Sequence, residues 1–122
     1  MKLHPPKEPA NELGQRSRQQ YLQQARQVIG EVNLEYSTLY HRFAENDWAA
    51  IQLDAAVAIA ALRSGLAPKE IVNLLHQGPY VQHQVHVQQV PVLAMSQYAR
   101  GIVLQALAQL QAVQKRQVEG EG

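Results

Sequence analysis

His76, His83 and His86 lie close together in the chain, and His83 and His86 stand three residues apart, the spacing at which one helix face can offer two imidazoles to a metal ion. No carboxylate occurs between Glu70 and Glu119, so a further ligand would have to come from Asp54 or Glu45 elsewhere in the fold. Imidazoles without such a partner read more simply as solvated or hydrogen-bonded side chains, and the sequence assigns no metal and no other cofactor. Cysteine is absent, which removes disulfides, thiol nucleophiles and thiolate-bound zinc together.

Asp54 sits between Leu53 and Ala55-Ala56 in a strongly apolar run. A carboxylate in that setting needs a partner, and Arg63, Arg100 or a helix N-terminus are the candidates that the sequence offers. Catalysis would need a second acid, base or nucleophile beside it, but Ser64 and Ser96 lie in no nucleophile-elbow motif and there is no glycine-rich phosphate loop. The expectation is therefore a chain that is not an enzyme, and no small-molecule substrate is identified from the sequence.

Three other groups bear on nucleic-acid contact. Arg16, Arg18 and Arg26 form a basic strip on the first helical segment, enough to neutralise a few phosphates and so to bind weakly and salt-sensitively. Gln82, His83, Gln84, His86 and Gln88 carry groups that can read base edges, although the segment around them has no Lys or Arg. Tyr36, Tyr40 and Phe43, with Trp48, hold most of the aromatic area; only Arg42 is near them, so a hydrophobic corner is the better reading than a base-stacking platform.

The elements that must position these residues read as helices. Of 122 residues 46% are hydrophobic but only 6% aromatic, so the core is built from Ala, Leu, Val and Ile, a mixture suited to close helix packing. Eleven Lys and Arg against ten Asp and Glu leave no long-range field to steer the molecule toward phosphate or anionic lipid. Leu13, Leu22, Ala25, Val28, Ile29 and Val32 recur at helical spacing, and Leu34, Leu39 and Phe43 continue the stripe after a break placed near Asn33–Ser37. Asn46-Asp47 offers N-caps to a helix ending at Ser64-Gly65. Gly65 then acts as a left-handed stop, with Leu66 folding back and Pro68 opening the next helix. Tyr80–Val90 is ambiguous, since Val81, His83, Val85 and Val87 alternate as in a strand, yet an isolated strand has no partner; a short helix or loop is favoured. Pro91 opens a final helix to about Gln117 carrying the longest apolar stripe.

The stretch from Asp54 through Ile71, continued by Leu74, Gly78-Pro79 and Tyr98-Ala99-Arg100, resembles a small helical module of plasmid mobilisation relaxases and primase-like proteins. The resemblance covers residues 54–100 and implies a non-catalytic domain associated with nucleic acid in plasmid maintenance. In this chain Ala67 and Gly78 stand where that module has hydroxyl residues. The corner at residues 65–71 is also similar to the entry of a helix-turn-helix, which would make Pro79–Gln88 the recognition helix.

The reading as a whole is an all-α, compact bundle of four to five helices. Residues 1–10 form a disordered tail, 11–117 a single domain and 118–122 a frayed end. The Asp47–Ser64 helix is central, and a homodimer is one way to cover apolar residues such as Leu104 and Leu107. No stretch suits a membrane span and no secretory leader is seen, so the cytoplasm is the expected location. Two function classes stay open, an accessory domain that binds DNA and a scaffold whose partner is a protein or its own copy.

Overall fold

The computed structural model describes residues 5–121, and the side chains of residues 5–116. Six α-helices and no strand occur among the described residues: α1 (Glu12–Ile29), α2 (Tyr36–Phe43), α3 (Asp47–Arg63), α4 (Pro68–Leu75), α5 (Pro79–His86) and α6 (Val92–Glu121). The all-helical expectation holds. The number of helices exceeds the expected four to five because the two short segments, α2 and α5, each form a separate helix of eight residues. None of the helices among the described residues is long and apolar enough to cross a membrane.

α3 touches all five other helices. Its only side chain with a formal charge between Asp47 and Arg63 is Asp54, and a helix with so little polar surface is stable only when covered on most sides. Ala50, Leu53, Val57, Ala58 and Ala61 of α3 are buried against Tyr21 and Ala25 of α1, Ile71, Leu74 and Leu75 of α4, and Ala99, Ile102, Val103 and Ala106 of α6. Alanine at so many of these positions lets the helix axes approach closely.

Local signals set the boundaries. Asn46 Oδ1 accepts from the Ala49 amide at 3.1 Å, the cap that stabilises a helix start by about 1 kcal/mol. At the other end of α3 the Gly65 amide donates to Leu62 and the Leu66 amide to Ala61, with Gly65 at φ +90°, a complete Schellman ending. A Cβ at Gly65 meets no atom within 4 Å, so only the left-handed backbone resists it. Gly65→Ala is therefore expected to lower the unfolding free energy by about 1 kcal/mol, read as a lower urea midpoint at unchanged slope.

Two boundaries differ from the sequence reading, and one ambiguous stretch is resolved. The break after α1 comes at Gly30 rather than at Asn33–Ser37, because Gly30 takes the left-handed conformation at φ 83° and its amide and that of Glu31 both close on the Arg26 carbonyl. Residues 79–86 take the helical one of the two alternatives favoured for Tyr80–Val90, with the Gln82 amide bonding to the Gly78 carbonyl, and the chain then turns through Gln89 at φ 58°. α6 continues as helical backbone through Glu121, past the expected frayed point; Gly122 lies outside the described residues.

Candidate functional site

Asp54 lies on the inward face of α3, in helical register with Ala50, Leu53, Val57, Ala58 and Ala61, and is wholly buried. Its partners are not the arginines expected. The Tyr21 hydroxyl of α1 donates to Oδ1 at 2.7 Å and the Tyr98 hydroxyl of α6 donates to Oδ2 at 2.6 Å. Burial pushes the carboxyl up to about 7 while the two donated bonds pull the other way. Burial and the neighbouring carboxylate push both phenols above their usual range. The Tyr80 ring lies on Tyr98 at a centroid distance of 4.8 Å. Gly78, the N-cap of α5, closes the pocket: a Cβ there would stand 2.8 Å from Asp54 Oδ1 and 2.7 Å from the Tyr21 ring.

A carboxyl near neutrality is the kind of group that acid–base catalysis uses. Here both oxygens are engaged and none of the side chain reaches solvent, so what the geometry accomplishes is to tie α1, α3 and α6 at one point. The sequence separations, 33 and 44 residues, left no local pattern from which the tyrosines could be read.

Arg18 gathers a second polar centre. Its side chain is only 7% exposed. Nε donates to Gln77 Oε1 at 3.0 Å, Nη2 to Gln82 Oε1 at 3.1 Å, and Nη1 to the carbonyls of Pro6 and Lys7 at 3.3 and 3.1 Å. The guanidinium also lies 4.3 Å from the centre of the Tyr36 ring. Residues 5–10, expected to be a tail with nothing to bury, are thus held along α1, and Gln15 Nε2 donates to the Pro9 carbonyl at 3.1 Å. Residues 1–4 of that expected tail lie outside the described residues.

The expected nucleic-acid residues are not brought to one surface. Arg16 and His86 are exposed, Arg18 is buried, and Arg26 donates from Nε to the Leu34 carbonyl at 2.7 Å. Gln82 is 8% exposed and spends its amide inside the protein, donating to the His76 carbonyl at 2.7 Å while accepting from Arg18. His83 is buried against the Tyr40 ring. Hence α5 turns Gln82 and His83 inward, and they are not free to read base edges as the helix-turn-helix similarity required. Tyr40 is buried, Tyr36 and Phe43 are half-buried, and they form the hydrophobic corner that the sequence favoured; Trp48 points away into solvent, 74% exposed. The third histidine, His76, has Nε2 3.1 Å from Ser96 Oγ, and its basicity is lowered by burial and by Arg100. Among the described residues no three His, Asp or Glu side chains converge as metal ligands.

The remaining feature is the outer side of α6. Leu93, Gln97, Gly101, Leu104, Ala108 and Ala112 repeat at intervals of three and four, directly opposite the buried side of the helix at Met95, Ala99, Ile102 and Ala106. Leu93 is 69% and Leu104 67% exposed. A Cβ added at Gly101 would touch nothing within 4 Å, so no neighbour within the chain requires glycine at mid-helix.

No protein-family model, curated protein or solved structure matches this chain. The functional reading therefore rests on the geometry alone. The sequence singles out Leu104 with Leu107, but Leu107 packs half-buried against the core; the uncharged strip that joins Leu104 to Leu93 through Gln97 and Gly101 gives little hydropathic signal and shows only once the buried side of α6 is known.

Proposed function

We propose that this chain is a non-enzymatic helical scaffold whose working surface is the outer side of α6 and whose partner there is a second copy. The observation that carries the reading is the exposed Leu104 knob beside the open notch at Gly101 on one helix face. Two such faces laid antiparallel about a two-fold axis set Leu104 of each into Gly101 of the other. The same axis matches Leu93 with Ala112 and Gln97 with Ala108, large against small along a seam of about 28 Å. It also places Arg100 opposite Gln105, whereas a parallel pairing would oppose Arg100 to Arg100.

Mass measured by light scattering over a concentration series tests this. A dimer at micromolar concentration is expected for the native chain, and Leu104→Glu is expected to give a folded monomer by placing two carboxylates, one from each copy, to be desolvated and to repel each other at the seam's centre. Gly101→Ala separates the two roles of that glycine: thermal stability at low concentration rises by about 0.5–1 kcal/mol from helix propensity, while the dimer weakens because the notch is filled. A native chain that stays monomeric at the highest concentration reached defeats the proposal.

The DNA-associated reading has Arg16, Arg26 and His86 left to support it. Retention on duplex or single-stranded DNA at low salt, lost on Arg16→Gln, would favour it over the scaffold.

A further inference from the structure

Arg18 is a buried cation held entirely by neutral groups. Among the described residues no carboxylate comes within 4 Å of it, and the one ion pair there is the exposed Arg42–Glu31 contact. Four of its five N–H groups go to the amide oxygens of Gln77 and Gln82 and to the main-chain carbonyls of Pro6 and Lys7. A guanidinium removed from water without a counter-charge gives up more solvation than neutral acceptors return, so an anion there gains both charge pairing and hydrogen bonds.

The carbonyl oxygens of Pro6 and Lys7 both accept from Nη1, so an oxyanion that reaches those N–H groups takes their place. They belong to a strap, residues 6–9, that runs between two cavities meeting at Arg18. One, of about 670 Å³, is lined by Gln15, Gln19, Arg26 and Tyr36 as well as by Arg18, and the other, of about 430 Å³, by Gln77, Gln82 and His86. Each also includes Glu8 from the strap, whose own carboxylate is exposed and makes no bridge to Arg18. Both walls thus add cationic or donor groups, and Glu8, Pro9 and Arg18 line both cavities.

We propose that Arg18 is the centre of a binding site for a small oxyanion, with the carbonyls of Pro6 and Lys7 occupying the anion's place in the closed state. The anion accepts from Nη1, which the two carbonyls vacate, while Gln82 keeps Nη2 and Tyr36 holds the guanidinium plane from beneath. Gln15, which holds the strap through the Pro9 carbonyl, sets how readily the site opens.

The test is a titration of the full chain, at constant ionic strength made up with sodium chloride, following the arginine Nε–H signals by NMR. Inorganic phosphate and acetate are the two probes. A saturable shift of the Arg18 signal, with Arg16 and Arg42 unmoved, is expected; response to phosphate alone assigns a tetrahedral oxyanion, and response to both assigns the shared chemistry. Gln15→Ala, at an exposed position, is expected to tighten the apparent Kd about 3- to 10-fold, because the lost strap bond lowers the cost of opening. Equal, non-saturating shifts of all the arginines overturn the site. An unchanged Kd in Gln15→Ala overturns the strap as its closure.

Discussion

Gly78→Ala is expected to lower the unfolding free energy by about 3 kcal/mol, the upper part of the range for overpacking a filled core. The added Cβ would lie 2.7 Å from Tyr21 Cε2 and 2.8 Å from both Tyr21 Cζ and Asp54 Oδ1. Neither group can yield cheaply. Tyr21 and Asp54 are wholly buried, and the bond between them is the one that relief of the clash would stretch. The backbone is not the cause, since Gly78 has φ −70°, open to any residue. The measurement is a denaturant midpoint at unchanged slope, with Gly101→Ala as the opposite-signed control: a loss below about 0.5 kcal/mol at Gly78 would mean that α5 does not press on the Tyr21–Asp54 pair.

Asp54→Asn is expected to remove a pH dependence of stability worth roughly 4 kcal/mol, given a carboxyl at about 7 in the fold and 3.8 when unfolded. The folded state binds this proton more tightly than the unfolded chain does. Stability from this group is therefore complete below about pH 4, falls as pH rises toward 7, and is flat above, opposite in sign to a salt-bridged aspartate. His76, whose basicity is lowered by burial, contributes a slope of the other sign below its unfolded value of 6.5, but it is present in both proteins and cancels in their difference. Unfolding free energies of the native chain and the variant measured from pH 4 to 8 give that difference directly. Parallel curves would show that Asp54 is ionised throughout. Tyr98→Phe is expected to extend the fall in stability to higher pH at the same slope, because it removes a donor that favours the ionised form.

These two effects arise at a place where the sequence pointed to the right residue and to the wrong partners. Asp54 stood out because a carboxylate among Leu53, Ala55 and Ala56 has to be buried and has to be satisfied. Arginine was the natural partner by charge. Tyrosine proved sufficient, since two phenols donate one bond to each oxygen and bring their own apolar rings into the core. The opposite happened at Arg18, which looked like part of a solvated strip with Arg16 and Arg26 and instead turns under the strap. Positions 16 and 18 differ by 200° around α1, so one faces solvent when the other faces the bundle.

Helical class, the central place of the Asp47–Ser64 segment and the Gly65-to-Pro68 corner were all determined by the sequence itself. They depend on interactions within a few residues: apolar spacing, an Asn cap, a glycine at φ +90° and a proline where no amide is needed. Only the tertiary structure decided which polar residues face inward. Gln82 and His83 became core groups, Arg18 acquired Gln77 and the strap, and Asp54 acquired Tyr21 and Tyr98. The reason is that a side chain's burial and bonding partner depend on how helices far apart in sequence rotate against one another, and those rotations minimise the packing energy of the whole core.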